Sequence, residues 1–218
     1  FSIFKNGIYK RQVLSQQNYS SETLPYKRGD ILDRDGNTLA TSQKMYTLVL
    51  EPKNILRSEE VQKATIDALH KYMKLDEDKL LKFIKRHKDS YYSVYREELS
   101  YSQIADLKDF IASDKAENVS GIVFNEKYKR RYPNQSLASQ VIGFVSDGTI
   151  GTGGIEQYYN STLSGVDGRK YKYLNEELEQ DSSIVEPENG KTVVTTIDSN
   201  IQKLAEDQLS KFEKKYGS

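Results

Sequence analysis

Arg28-Gly-Asp-Ile-Leu-Asp33-Arg34-Asp-Gly36-Asn-Thr-Leu39-Ala40 is the stretch on which the reading of this chain turns. At its centre Asp35-Gly36 stands between two short apolar segments, and Asp-Gly supplies the positive φ of a tight hairpin turn. A β-hairpin is expected here. Beyond it Tyr46, Leu48 and Leu50 alternate with Met45, Thr47 and Val49, a period of two that predicts a strand stopped by Pro52. Ahead of it, residues 1–26 mix Ile3, Phe4, Ile8, Val13 and Leu14 with Gln, Asn and Ser without a firm period. They read as a helix or strand followed by a linker.

The pattern changes after Pro52. Ser58 followed by Glu59 and Glu60 is an N-cap with an acidic first turn, and Val61, Ala64, Thr65, Ala68, Leu69 and Tyr72 recur at three and four. A second helix opens at Asp76 with Leu80, Leu81 and Ile84 inward, and Ser90 to Tyr95 reads as a strand. A third begins at Ser100, where Ser100-Tyr101-Ser102-Gln103 has the form of a capping box and Ile104, Leu107 and Ile111 make the stripe. Residues 53–118 therefore form an α-rich unit. From Val119 to Tyr132 the Val, Ile, Phe and Tyr content predicts a long strand, then a Pro133-Asn134 turn and a short helix over Ser136 to Val141. Asp147 to Gly154 is a glycine-rich loop. A helix over Ile155–Leu163, strands over Arg169–Leu174 and Thr192–Ile197, and a helix capped by Asp198 complete the chain. Strands, a helical insert and strands again give the α+β class, the two flanks being expected to pair into one sheet.

Composition narrows the function. Leu, Ile, Val and Phe make up about a quarter of the 218 residues, just above the ~20% mark below which chains stay unfolded. Lys and Arg number 32 against 32 Asp and Glu, so there is no electrostatic footprint for nucleic acid. No apolar stretch reaches the ~18 residues of a membrane span. The absence of Cys excludes disulfides, thiolate zinc sites and a Cys nucleophile, and His70 and His87 have no partner His at metal spacing. No metal and no cofactor is expected.

Catalytic patterns are equally sparse. A penicillin-type acyl-transferase combines Ser-x-x-Lys with Ser-x-Asn and Lys-Thr-Gly. Neither companion motif occurs, and Lys191-Thr192-Val193 lacks the Gly that lets substrate reach the backbone. Glu97-Glu98 and Glu176-Glu177 are adjacent carboxylates that face opposite ways in a strand and cannot flank one bond. Gly151-Thr152-Gly153-Gly154 has no Gly-Lys-Ser/Thr after it and is not a phosphate loop. What remains is a set of spaced segments rich in Arg, Gly and Glu, which suggests architecture rather than catalysis.

Those segments fall into an order. The stretch from Arg28 through Gly29, Asp33, Arg34 and Gly36 to Ala40 resembles the first non-catalytic motif of class B penicillin-binding proteins. A second motif is similar to Arg131-Tyr132-Pro133 with Leu137-Ala138 and Val141-Ile142-Gly143. A third is similar to Gly151-x-x-Gly154-Ile-Glu156 with Tyr159-Asn160, Leu163, Gly165 and Gly168. The tail from Gly190 through Val193, Thr196-Ile197-Asp198, Ile201-Gln202 and Ala205-Glu206 resembles the entry into that family's transpeptidase domain, whose catalytic motifs are expected beyond Ser218.

The resemblance implies a pedestal. Residues 1–26 would be membrane-proximal, 27–52 and 119–197 an anchor part with its sheet, 53–118 an inserted α-rich head, and 198–218 the helix leading into the transpeptidase domain. It implies a place on the extracytoplasmic face of the bacterial membrane, with the parent anchored by one N-terminal transmembrane helix. It implies as partners the parent transpeptidase domain and the glycosyltransferase and scaffold proteins of wall synthesis, whether for elongation, division or sporulation, with homodimerisation left open. Tyr46 to Ile55 looks slightly more like the division and sporulation branch. Glu156 is expected to pair with Arg28 or Arg131 and draw the three motifs together. Two rival readings stand beside this one: a wall hydrolase with Glu156 as general acid and Asp198 as partner, and a glycan or teichoic-acid binder using Lys127, Lys129 and Arg131 with Tyr128 and Tyr132.

Overall fold

The computed structural model describes residues 20–146, 149–174 and 180–217. Readings made for residues 1–19, for Asp147-Gly148 and for Glu176-Glu177 lie outside them. Strands β1 (Ser20–Leu24), β2 (Ile31–Leu32) and β3 (Thr38–Leu50) come first; β4 (Ser93–Leu99) and β5 (Ile122–Arg131) follow, and then β6 (Phe144–Ser146), β7 (Ile150–Thr152), β8 (Gly168–Leu174), β9 (Gln180–Val185) and β10 (Val193–Val194). Helices α1 (Pro52–Ile55), α2 (Glu59–Met73), α3 (Glu77–Arg86) and α4 (Tyr101–Ile111) precede β5; α5 (Ser139–Ile142), α6 (Gly154–Tyr158), α7 (Asn160–Leu163) and α8 (Ser199–Tyr216) follow it. The chain is α+β and divides into two compact units, Lys44–Lys129 and the remainder.

The Lys44–Lys129 unit is built as its pattern dictates. The Ser58 hydroxyl accepts from the Val61 N–H, Asp76 accepts from the Lys79 N–H at 2.8 Å, and the Gln103 side chain accepts from the Ser100 N–H at 2.8 Å. Each cap satisfies a donor that the first helical turn leaves free. The helices close over one core of Leu48, Leu50, Ile55, Leu69, Leu80, Ile84, Leu99, Ile104 and Leu107. Strand β3 contributes Tyr46, Leu48 and Leu50 to that core, yet Met45, Thr47 and Val49 are buried as well. A near-continuous apolar run is the mark of a central strand covered on both faces, and β3 pairs with β4 and with β5. The strand read over Ser90–Tyr95 instead spans Ser93–Leu99, because Ser90 to Tyr92 form a turn held by the Ser90 hydroxyl.

In the other unit the flanks pair with each other, in two sheets rather than one. Strand β8 lies between β1 and β9, antiparallel to both, while β10 runs parallel to β2 and β2 turns back on β3. The Asp35-Gly36 turn lies between β2 and β3, with Gly36 at φ +85° and the Asp33 N–H donating to the Asn37 carbonyl at 2.8 Å. Ile31, Leu39, Ala40, Ala138, Ile142 and Leu163 form the core. Boundaries differ from the sequence reading, and Ile150–Thr152 of the expected Asp147–Gly154 loop is strand β7, paired with β6. The helix expected from Ser136 starts at Ser139, preceded by Ala138 in the left-handed region; Ile155–Leu163 breaks into two helices at Tyr159; and only Val193–Val194 of Thr192–Ile197 pairs as a strand. No helix among the described residues is long and apolar enough to cross a membrane.

Candidate functional site

Glu156 sits in the first turn of α6 with no exposed side-chain surface. Its Oε2 accepts from Arg28 Nε at 2.9 Å, and its Oε1 accepts from Arg130 Nε at 2.7 Å and from the Tyr132 hydroxyl at 3.2 Å. Both guanidiniums are nearly as buried, at 3% and 4% exposure. Arg28 spends its remaining donors on the carbonyls of Glu156 and Thr149 and on the Ser164 hydroxyl. Arg130 Nη1 donates to the Gly29 carbonyl at 2.7 Å and the Ser42 hydroxyl at 3.1 Å. One carboxylate thus joins β2's approach, the end of β5 and the start of α6.

Alternation along β5 decides which arginine takes part. Residues two apart share a strand face, so Arg130 and Tyr132 arrive together at Glu156 while Arg131 turns to the surface and donates to Gln43 at 3.2 Å. Arg28 holds Glu156 as expected; the second arginine on it is Arg130, not Arg131. Sequence reading passed over Arg130, although its place two residues before Tyr132 was a usable signal. Burial, reinforced by the Glu156 charge, pushes the Tyr132 phenol up to about 12, so it stays a donor. Among the described residues, Arg130 Nη2 is a buried side-chain donor without a partner.

The glycines make this approach possible. A Cβ on Gly151 would stand 1.9 Å from the Glu156 carbonyl oxygen and 2.8 Å from Arg28 Nη2, so only a bare backbone fits there. A Cβ on Gly29 would collide with the Lys191 carbonyl at 2.0 Å. Gly154, at φ +49°, opens α6 against the Val141 carbonyl. Pro133 follows the end of β5 and is exposed.

A second knot lies at the hairpin. Asp33 is fully buried, and its carboxylate accepts from the N–H groups of Asp35 and Asn37, the Asn37 amide at 2.9 Å and the Ser199 hydroxyl at 2.7 Å. Donation from Asn37 and then Ser199 holds this carboxyl far below the usual carboxylate range. Ser199 is the first residue of α8, so the hairpin grips that helix where it begins. Arg34, half exposed, lies 3.6 Å from Asp198, which caps the same helix. Two turns on, Glu206 accepts from the Ala138 N–H and the Gln202 amide, both at 2.8 Å. Ser199, Ser42 and Ser164 escaped the sequence reading because a lone serine carries no pattern.

The hydrolase reading does not fit this geometry. Both Glu156 oxygens are occupied and the side chain is closed to solvent, while Asp198 is engaged as a helix cap, so no glycosidic oxygen can reach the pair. Of the cations in the wall-binding reading, Lys127 is paired with Glu97 and Lys129 with Glu98 at the surface, and Arg131 lies exposed beside Gln43. The spacing Ser-x-x-Lys does occur at Ser2–Lys5, outside the described residues and without either companion motif.

With this geometry in place, the comparisons identify the family. Residues 23–195 match the family model of the penicillin-binding protein dimerisation domain, and the chain belongs to that family. Its relatives are class B penicillin-binding proteins. It is 28% identical over 197 residues to the "probable peptidoglycan D,D-transpeptidase PenA" of Neisseria meningitidis, covering 88% of this chain and 32% of that protein. Penicillin-binding protein 2X of Streptococcus thermophilus superposes with a TM-score of 0.69 at 25% identity, over 89% of this chain and 32% of that one. Penicillin-binding protein PBP2 of Helicobacter pylori, solved in complex with MreC, has the same fold, with a TM-score of 0.59 at 22% identity over 88% and 38%. The chain spans about a third of the length of the curated relatives it matches.

Two outcomes follow from the knots. Arg130→Met takes one of two guanidiniums from a buried carboxylate and should cost about 3–5 kcal/mol, whereas Arg131→Met should stay within about 0.5 kcal/mol, read as urea midpoints of the paired variants. Because the folded-state pKa of Asp33 is depressed, its contribution is complete above the unfolded value of about 4 and is lost as pH falls below it. The stability advantage of wild type over Asp33→Asn should therefore shrink on acidification below about pH 4, measured by urea unfolding along a pH series.

Proposed function

We infer that this chain serves as the non-catalytic pedestal of a class B penicillin-binding protein, holding a D,D-transpeptidase domain in place for peptidoglycan cross-linking. The observation that carries this reading is the path from the buried Glu156 knot through the Asp33 hairpin to the first residue of α8. A rigid, substrate-inaccessible knot that ends by fixing an exit helix transmits position and performs no chemistry. Ile201, Leu204, Leu209 and Phe212 on α8 are each about three-fifths exposed, which supports a transpeptidase domain packing there.

In this reading the anchor comprises 27–52 and 119–197, and the head expected over 53–118 lies within the Lys44–Lys129 unit. The module stands on the extracytoplasmic face, tethered through the parent's N-terminal membrane helix. Its partners are wall-synthesis scaffold and glycosyltransferase proteins, a role supported by the complex of the Helicobacter pylori relative with MreC. Arg28, Gly29, Asp33, Arg34, Gly36, Arg131, Tyr132, Pro133, Gly151, Gly154 and Glu156 act as interdomain and structural positions, with Arg130 added to them.

Two measurements on the chain test the assignment. Intact mass after incubation with a fluorescent penicillin should be unchanged, and the chain should stay in the supernatant when insoluble cell wall is pelleted. A stoichiometric adduct would show a nucleophile and overturn the non-catalytic reading. Co-sedimentation would favour the wall-binding alternative.

A further inference from the structure

Ala138 is where local sequence and structure disagree. Ser136 to Val141 has the composition of a short helix, with Ser136 placed to cap it and Ala138, the best helix former, in its first turn. The helix starts instead at Ser139, and Ala138 stands before it at φ +51°, ψ +26°, in the left-handed region. There an alanine Cβ crowds the following carbonyl oxygen, which disfavours the conformation by roughly tenfold in population. Residues 134–136 on its N-terminal side are exposed, so they do not force this turn by packing. A residue held against its own preference needs a restraint from elsewhere.

That restraint is on α8. Glu206 Oε1 accepts from the Ala138 N–H at 2.8 Å, and the same oxygen accepts from the Gln202 amide one turn back. A right-handed Ala138 has a different acceptor within reach. With Ser136 as N-cap, Ala138 takes the second helical position, whose N–H a capping hydroxyl accepts. The turn bonds from the Leu137 N–H to the Asn134 carbonyl and from the Ser139 N–H to the Ser136 carbonyl, at 3.1 and 3.0 Å, already coil the chain there. The Ala138 N–H is therefore satisfied in two ways, by Glu206 with the backbone strained or by Ser136 with the backbone relaxed. The two settings differ for α8 as well. That helix has no buried residue, is gripped at its first residue by Asp33 through Ser199, and is tied again at Glu206, roughly 10 Å further along its axis.

We propose that Ala138 and Glu206 form a latch with two settings. In the closed one Ala138 is left-handed and α8 is tied at both points; in the open one α5 begins at Leu137, Glu206 is released, and α8 pivots about Ser199. The inference rests on the pedestal reading for its use, since it gives the direction held by α8 two values, and on the strain at Ala138 for its mechanism.

Carbon chemical shifts of the whole chain, together with spin-label distances, test it. Wild type should show left-handed Cα and Cβ shifts at Ala138, and Glu206→Ala should move residues 136–138 to helical values. Glu206→Gln keeps an acceptor oxygen and should stay closed. Ala138→Gly, which removes the penalty on the left-handed turn, should keep these residues non-helical even in combination with Glu206→Ala. The chain has no Cys, so labels at Ser161→Cys and Lys214→Cys report α8 alone, and their distance distribution should broaden with Glu206→Ala. Circular-dichroism melts confirm that each variant is folded. Left-handed shifts at Ala138 that persist in Glu206→Ala, or a double variant as helical as Glu206→Ala by itself, would overturn the latch. So would an unchanged distance distribution, which would leave Glu206 a cap for the loop with no hold on α8. Penicillin labelling does not depend on the setting of Ala138, so this inference and the pedestal reading can fail separately.

Discussion

A carboxylate removed from water must be paid for by its neighbours, and Glu156 is the point at which this chain does so. Two guanidiniums and a phenol converge on it from segments 24 to 128 residues away in sequence. Hydrophobic burial could not specify such a junction, because apolar contacts tolerate sliding. Directional hydrogen bonds from arginine forks do not. The glycines follow from this demand: Gly151 has no side chain because the Glu156 carbonyl and the Arg28 guanidinium occupy that space. Removing Glu156 leaves two buried guanidiniums uncompensated, so the three segments depend on it together.

The Asp33 cluster extends the same principle toward α8. Its carboxylate satisfies the hairpin turn on one side and Ser199 on the other, so the direction of α8 is set by a turn whose shape depends on Gly36 at positive φ. A helix with no buried residue would otherwise have little to orient it. Glu206, reaching back to the Ala138 N–H, adds a second tie two turns further along. In the pedestal reading proposed above, these residues serve to maintain a direction.

Much of this was legible before any coordinates. The turn at Asp35-Gly36, the caps at Ser58, Asp76 and Ser100, and the helical stripes of the Lys44–Lys129 unit are local signals, and the structure has them where the residues placed them. The partnership of Arg28 with Glu156 was also readable, since spaced charged motifs without a nucleophile call for mutual pairing. What the sequence concealed depends on direction and distance. Choosing between Arg130 and Arg131 needs the register of β5, which a boundary uncertain by one residue inverts. The parallel pairing of β10 with β2 joins residues about 160 positions apart and leaves no periodic trace in a two-residue strand. Serine partners such as Ser42, Ser164 and Ser199 are indistinguishable from surface serines until the fold encloses them.

The central claim is that Glu156 is the electrostatic keystone of the unit that contains it. Urea unfolding of Glu156→Gln tests this most directly, because glutamine keeps the size while removing the charge and one of the two acceptor oxygens that face the buried guanidiniums. The account predicts a loss of about 3–5 kcal/mol in the transition that unfolds this unit. A midpoint within about 0.5 kcal/mol of wild type, the range of an ordinary surface substitution, would contradict it.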